Sequence, residues 1–183
     1  MLYTRKGDSG TTKTFGCNQR ISKSSAIAEA LGSLDEVNSF LGLCKVRSAT
    51  SGYFAAGRTF EDVVNWLQSN LFIVQAELAG ADKHITEEKV KEVERIVDEI
   101  EKELPPINTF FISGGSELAA LFDVARTQAR RAERRVVAVV DENTREISPH
   151  TLSFLNRLSS ILYALARLSN HKSGITEQAP DYA

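Results

Sequence analysis

Apolar residues recur at helical spacing in five separate segments of the chain. The first segment runs from about Ser25 to Arg47, and two more open at Thr59 and Thr86. The last two open at Ser116 and Ser148. In each segment the apolar positions are three or four residues apart, which is the period of a helix with one buried face. No segment shows a convincing strand pattern, so the sequence predicts an all-α fold.

Capping residues and prolines mark where the helices begin and end. The third helix stops at Pro105-Pro106, the fourth runs from Ser116 to about Val140, and Pro149 fits the first position of a fifth helix that ends near Ser169. Helices of roughly 18 to 25 residues can lie side by side along a whole domain. We therefore expect an up-down five-helix bundle, resembling a four-helix bundle, in a single domain over residues 1–183. It comprises an irregular N-terminal arm (1–24), the bundle (25–170) and a tail (171–183).

Composition and charge narrow the class of protein. The chain has 183 residues, of which 42% are apolar and 25% charged, as expected for one globular domain. A net charge of −2 argues against general binding to nucleic acid or a membrane surface. Cys17 and Cys44 form neither a disulfide framework nor a zinc pattern, and no apolar run resembles a signal peptide or a membrane span. We expect a cytoplasmic protein without nucleic-acid or membrane partners.

Five arginines fall within ten residues of the fourth predicted helix. Because a helix turns about 100° per residue, Arg126, Arg130 and Arg134 drift by only about 40° per step and form one stripe. Small apolar residues between them would let this helix pack closely against others. The stripe fits either an anion-binding site or a solvated face, whereas Arg131 and Arg135 point elsewhere and fit a solvated face.

The N-terminal arm is rich in Gly, Thr and charged residues and has no periodicity. Glycines such as Gly7 and Gly10 let backbone amides approach an anion closely, and Thr12, Lys13 and Lys23 add donors. Neither the Walker pattern nor G-x-G-x-x-G is present. A phosphate-binding loop and a disordered arm both remain possible interpretations.

The segment 107–115 places three large apolar residues, Phe110, Phe111 and Ile112, in a row before Gly114-Gly115. Such a loop could cover an apolar ligand as a lid, or it could plug the end of the bundle, which is the commoner use.

Asp35 lies near the apolar face of the first predicted helix rather than opposite it. A carboxylate in that position needs a partner, because an unpaired buried charge is costly. Arg126 is the candidate partner.

The sequence lacks the residue patterns that several common catalytic sites require. A di-iron bundle needs Glu-x-x-His pairs, but none of His84, His150 and His171 has a glutamate three positions earlier. The Gly-x-Ser-x-Gly nucleophile elbow is absent as well, and we expect no protein metal site. Many anion-directed donors without a nucleophile suit triphosphate binding, where positioning and electrostatics do most of the work.

A set of motifs occurs in order along nearly the whole chain: Thr4 to Gly10, Lys23, Glu29 to Ser39, Ser113 to Gly115, Ala125 to Thr127, Arg130 to Arg134 and Leu155 to Ser159. This set closely resembles the ATP:cob(I)alamin adenosyltransferases of the propanediol-utilisation type. The resemblance implies a homotrimer with ATP held at subunit interfaces. It also implies transfer of the 5′-deoxyadenosyl group of ATP to the cobalt of cob(I)alamin, giving adenosylcobalamin and triphosphate.

The resemblance assigns roles to individual residues. Asp35 and Arg126 would form a salt bridge that supports the subunit interface and the active site. Phe110, with Phe111 as the alternative, would cover the lower face of the corrin, which Tyr163 would also face. The ATP site would comprise Thr4, Arg5, Lys6, Gly7, Asp8, Gly10, Thr12, Lys13, Lys23, Arg130, Glu133, Arg134 and Asn156.

The resemblance also implies partners. ATP would be the co-substrate with Mg²⁺, and cobalamin the substrate. An electron-donating reductase would supply the reduced cobalamin, and an adenosylcobalamin-dependent enzyme would receive the product. Ser113, Asp123 and Ser160 depart from residues common in relatives, which bears on cobalamin affinity more than on ATP binding.

Overall fold

The computed structural model describes residues 3–15 and 19–182. Within them the chain forms five helices joined by loops and two very short hairpins, which confirms the predicted all-α class. The helices are α1 (Ala26–Ala49), α2 (Phe60–Ala79), α3 (Glu87–Glu103), α4 (Glu117–Asp141) and α5 (Pro149–Lys172).

Side-chain caps explain where most of the helices begin. The hydroxyl oxygens of Ser25, Thr59, Ser116 and Ser148 each accept a hydrogen bond from a backbone N–H in the first turn that follows. Each cap satisfies a donor that the helix itself leaves without a partner. Thr86 precedes α3 without a side-chain cap bond.

Helix α4 packs against both α1 and α5, while α2 packs against α1 and α3 against α5. The middle of the buried stripe of α4 consists of small residues, and Ala125, Ala129 and Ala132 are fully buried. Small side chains let the neighbouring helices approach α4 closely. The arginines of the same helix therefore lie beside a tightly packed seam, at the edge of the bundle.

The irregular segments contain more structure than their composition predicts. Strands β1 (Thr11–Thr12) and β2 (Ile21–Ser22) pair antiparallel in the arm. Strands β3 (Phe54–Ala55) and β4 (Arg58–Thr59) pair antiparallel in the connection between α1 and α2. Ala56 and Gly57, which connect β3 to β4, both have positive φ, as in the two-residue turns that join hairpin strands.

The cysteines show no sign of reactivity where the structure describes them. Cys44 is a free thiol in the core, and burial raises its pKa to about 12, so it stays protonated. Cys17 lies outside the described residues. None of the helices in the described chain has the length and apolar character to cross a membrane.

Candidate active site

An apolar cleft of about 590 Å³ opens where the loop before α4 faces α5. One wall is the loop itself, and the other comes from residues of α4 and α5. It is lined by Ile107, Asn108, Thr109, Phe110, Phe111, Arg126, Arg130, Ser159, Ser160 and Tyr163. We refer to it as the apolar cleft.

A second cleft, of about 370 Å³, continues along the same two helices. It is lined by Arg130, Glu133, Arg134, Val137, Ala138, Asp141 and Asn156. We refer to it as the cationic cleft. Arg130 borders both clefts, so an apolar group and an anion could be bound side by side with this guanidinium between them.

The two arginines of the cationic cleft have no partner of their own. Among residues 3–15 and 19–182, neither Arg130 nor Arg134 forms an ion pair or a side-chain hydrogen bond. Glu133, between them in sequence, accepts a hydrogen bond from Asn156 Nδ2 at 2.9 Å, which joins α4 to α5. Unpartnered guanidinium groups in a concave site fit a polyanionic ligand, because planar guanidinium donors match phosphate oxygens in charge and geometry.

The third arginine of the stripe is paired differently from the prediction. Arg126 Nε lies 3.1 Å from Asp123 Oδ1, and its guanidinium lies 5.8 Å from the centre of the Tyr163 ring. Asp35 is exposed on α1 and forms no ion pair within the described chain. As a contact within one chain, the Asp35–Arg126 pair is wrong. Asp123 is one helical turn from Arg126, and the exposed Asp35 needs no partner to offset burial.

The loop of segment 107–115 faces the apolar cleft instead of plugging the bundle. Phe110 is 80% exposed, and Ile107 and Ile112 are also exposed. Phe111 is half-buried, with the Arg167 guanidinium 5.2 Å from its ring centre. The commoner of the two predicted uses, a plug, is therefore wrong. Across the cleft, burial raises the pKa of Tyr163 above its ordinary value.

Asn170 holds the end of this loop, a role that the sequence did not reveal. Its Nδ2 donates to Gly114 O and its Oδ1 accepts from Ser116 N, both at 2.9 Å. At Gly115, where φ is +97°, a Cβ atom would lie 2.4 Å from Asn170 Oδ1. Glycine at position 115 is the only obvious signal, because it marks a close approach whose partner the sequence does not identify.

The N-terminal arm is folded into consecutive turns. Backbone bonds run from Asp8 N to Arg5 O and from Gly10 N to Gly7 O. Lys23 Nζ lies over Gly7, where a Cβ atom would be only 3.2 Å away. Among the residues that the structure describes, the arm contains three lysines that form no ion pair, Lys6, Lys13 and Lys23. The arm also contains the predicted site residues Thr4, Asp8 and Thr12.

Arg20, which the sequence did not single out, fixes the fold of the arm. Its Nε donates to Thr11 Oγ1 and its Nη2 donates to Thr11 O, both at 2.7 Å. The described part of the arm is therefore folded rather than disordered, and the ammonium groups of its lysines form no ion pair there.

The described part of the arm and the arginine stripe are not brought together within one chain. Neither the apolar cleft nor the cationic cleft includes a described residue of the arm. Phe15, an exposed residue of the arm, instead lines a third cleft of about 640 Å³ with Asp35 and the exposed Phe72. The predicted site residues thus form two separate groups in the protomer.

Metal ligands are sparse. Across the part of the chain that the structure describes, no three His, Cys, Asp or Glu side chains are grouped to hold a metal ion. His84, His150 and His171 are all exposed.

Comparison with known sequences gives consistent matches over nearly the whole chain. The model of the family described as "Cobalamin adenosyltransferase" matches residues 2–169. A corrinoid adenosyltransferase of Bacillus subtilis is 40% identical over 182 residues, covering 95% of this chain and 89% of the relative. Corrinoid adenosyltransferase PduO of Salmonella typhimurium is 34% identical over 97% of this chain. The chain spans only 53% of that relative's length, and 50% of the corresponding protein from Citrobacter freundii.

Solved structures agree with the sequence matches. A PduO-type ATP:corrinoid adenosyltransferase variant from Lactobacillus reuteri, complexed with cobalamin and ATP, has a TM-score of 0.88 and 28% identity, covering 100% of this chain and 97% of its own. That variant replaces a phenylalanine with histidine. A second variant, complexed with ATP, replaces an arginine twenty positions further along with lysine and has a TM-score of 0.86. This chain belongs to the cobalamin adenosyltransferase family.

Proposed function

We propose that this protein transfers the 5′-deoxyadenosyl group of ATP to the cobalt of cob(I)alamin, releasing triphosphate. The observation that carries the proposal is the position of Arg130 between an apolar cleft and a cationic cleft. A flat apolar corrin fits the first cleft, and the triphosphate of ATP fits the second. The point where the two clefts meet is then where the ribose C5′ and the cobalt would react.

The reaction needs no nucleophile from the protein, since cob(I)alamin is itself a strong nucleophile. The cobalt electron pair forms the bond to C5′ while the C5′–O bond breaks, and the electron pair of that bond leaves with triphosphate. Cobalt is thereby formally oxidised from Co(I) to Co(III). The protein must align the reacting atoms and stabilise the negative charge of the departing triphosphate, which are tasks for positioning and for cationic donors.

We assign Arg130 and Arg134 to the triphosphate. Both guanidinium groups are free of partners among the residues described, and both line the cationic cleft. Glu133 and Asn156 hold α4 and α5 in register beside them. This assignment makes the unpartnered arginines the main source of compensation for phosphate charge on this chain.

Phe110 is assigned to the lower face of the corrin. It is the most exposed phenylalanine of the loop, and it lines the apolar cleft. Phe110 and Arg130 are twenty positions apart and share that cleft, the same separation as between the two residues changed in the Lactobacillus reuteri variants. Phe111 and Arg131 have this separation too, but Arg131 is paired with Glu36. An apolar side chain at this place would exclude a water ligand from cobalt and so favour reduction to Co(I).

A trimer would unite the two groups of site residues. The arm with its free lysines and the stripe with its free arginines lie apart in one protomer, and each alone offers only part of a triphosphate site. We propose that the arm of one subunit meets the stripe of the next. Asp35 is exposed and lines a cleft with Phe72. In the same interface, Asp35 of one subunit would replace Asp123 as the partner of Arg126 in the next subunit.

Mg²⁺ would accompany the nucleotide. The described residues offer no three-ligand site, but Mg²⁺ is commonly held by one or two carboxylates together with phosphate oxygens and water. Glu133 and Asp141 border the cationic cleft and fit that role. When bound, the ion supplies positive charge at the phosphates. The wider proposal places the enzyme in the cytoplasm, between a reductase that delivers cob(I)alamin and an enzyme that uses adenosylcobalamin.

The proposal is tested with purified protein, MgATP and chemically reduced cobalamin. We expect adenosylcobalamin, identified by its spectrum and its sensitivity to light, together with an equal amount of triphosphate. A protein that binds ATP, as shown by a rise in melting temperature, but forms no adenosylcobalamin would be a nucleotide binder, and the proposed reaction would be wrong.

A further inference from the structure

Arg167, on α5, is a charged side chain in an almost wholly buried position. It is 4% exposed, and its Nε lies 2.8 Å from Glu177 Oε2 in the tail that follows the helix. Its Nη2 donates to Pro105 O at 3.2 Å, and its guanidinium lies over the Phe111 ring. A buried guanidinium is tolerated only when its charge and donors are satisfied. Here one arginine joins the tail to the loop of the apolar cleft.

A backbone contact joins the same two segments a second time. Ile112 N donates to Gln178 O at 2.8 Å. We call residues 175–178 the tail strap. The strap and Arg167 together hold the loop at Pro105, Phe111 and Ile112, on both sides of Phe110.

Few packing contacts hold the Phe110 side chain in one position. Its side chain is 80% exposed, so the loop backbone decides where its ring lies. The ring of its neighbour Phe111 contacts the Arg167 guanidinium, and the backbone of the next residue, Ile112, is bonded to the strap. The tail, which has no periodicity in the sequence, therefore has a direct structural link to the apolar cleft.

We propose that Arg167 and Glu177 are positioning residues that keep Phe110 in place over the apolar cleft, through the tail strap. The inference rests on the proposed function for its kinetic consequence. The structural part of the inference is independent of the proposed function, because the Arg167–Glu177 ion pair would restrain residues 107–112 whether or not the protein acts on cobalamin. Loss of the ion pair leaves a buried guanidinium without its counter-charge and releases the strap.

The structural part is tested by hydrogen exchange on the full chain without substrate. Glu177→Gln removes the negative charge at nearly constant size. The matched control is Glu103→Gln, which removes an ion pair to Lys172 at the same end of α5, between two more exposed side chains. We expect amide exchange at Ile112 and its loop neighbours to be about tenfold faster in Glu177→Gln and unchanged in Glu103→Gln. Equal exchange in both variants would overturn the inference.

The kinetic part compares the two substrates. In Glu177→Gln we expect the KM for cob(I)alamin to rise by about tenfold while the KM for ATP stays at the wild-type value. A general loss of structure would change both constants and lower the melting temperature more than Glu103→Gln does. A wild-type protein without activity would remove the proposed function alone, since hydrogen exchange still decides the role of the ion pair. Faster loop exchange with an unchanged KM for cob(I)alamin would refute the positioning role.

Discussion

Arg130, Arg131 and Arg135 show how one helix gives neighbouring arginines different environments. Arg131 pairs with Glu36 and ties α4 to α1. Arg135 is exposed and lines neither of the clefts that contain Arg130. Arg130, one position before Arg131, lies in both clefts without a partner in the described chain. Because a step of one residue turns the helix by about 100°, adjacent identical side chains reach different surroundings.

Phe110→Ala tests the residue that we place below the corrin. We expect the rate from cob(II)alamin with a reductant to fall about tenfold more than the rate from cob(I)alamin prepared beforehand, because only the first rate includes the reduction that Phe110 favours. Ile112→Ala, in the same loop but outside the apolar cleft, serves as the control and should change neither rate. Equal losses from the two starting states would refute the role of Phe110.

At the scale of elements, the helices were predictable and their connections were not. Caps such as Ser116 and the proline at position 149 act within one turn, so the sequence contains their signal locally. The partner of Asn170 lies 54 to 56 positions earlier, and only the packing of α5 beside the loop reveals it. The Asp123–Arg126 pair is local and could have been found, since residues three apart on a helix are neighbours.

Gly115→Ala tests the junction between the loop and α4. A non-glycine residue at φ +97° is strained, and its Cβ would lie 2.4 Å from Asn170 Oδ1. We expect the free energy of unfolding to fall by about 1–3 kcal/mol, as measured by denaturant unfolding at fixed protein concentration. Gly174→Ala is the control, because φ there is +68° with open space around it. If Gly174→Ala costs as much, the contact with Asn170 contributes nothing.

At the scale of the whole molecule, the described part of the protomer carries two separate groups of cationic side chains without ion pairs, one in the arm and one on α4. The motifs of the arm and the stripe were recognisable from the sequence because each is a local run of residues. The separation of the two motifs was not recognisable, because only the packed bundle shows that neither the apolar nor the cationic cleft includes an arm residue from the described ranges. A site completed by a second subunit, as we propose, would explain why the lysines of the arm, Arg130, Arg134 and Asp35 form no ion pair among the residues that the structure describes.

Asp35→Asn tests the proposed assembly. Loss of an interface charge pair should raise the dissociation constant of the trimer by about tenfold, as measured by analytical ultracentrifugation. Glu36→Gln is the control, since Glu36 pairs with Arg131 inside the protomer and an exposed pair of that kind contributes little. Combining Asp35→Asn with Arg126→Gln should add less than the sum of the single effects. Additive effects, or a wild-type monomer, would contradict the assembly.

The most direct test of the central claim compares Arg130→Ala with Arg135→Ala in the formation of adenosylcobalamin from MgATP and cob(I)alamin. Both variants remove one arginine from α4, but only Arg130 lies where the apolar and cationic clefts meet. We predict that kcat/KM falls by about a hundredfold or more in Arg130→Ala, because a charge-assisted contact to the departing triphosphate is lost. We predict wild-type kinetics for Arg135→Ala. Equal activity in the two variants would contradict a reaction site at the junction of the two clefts.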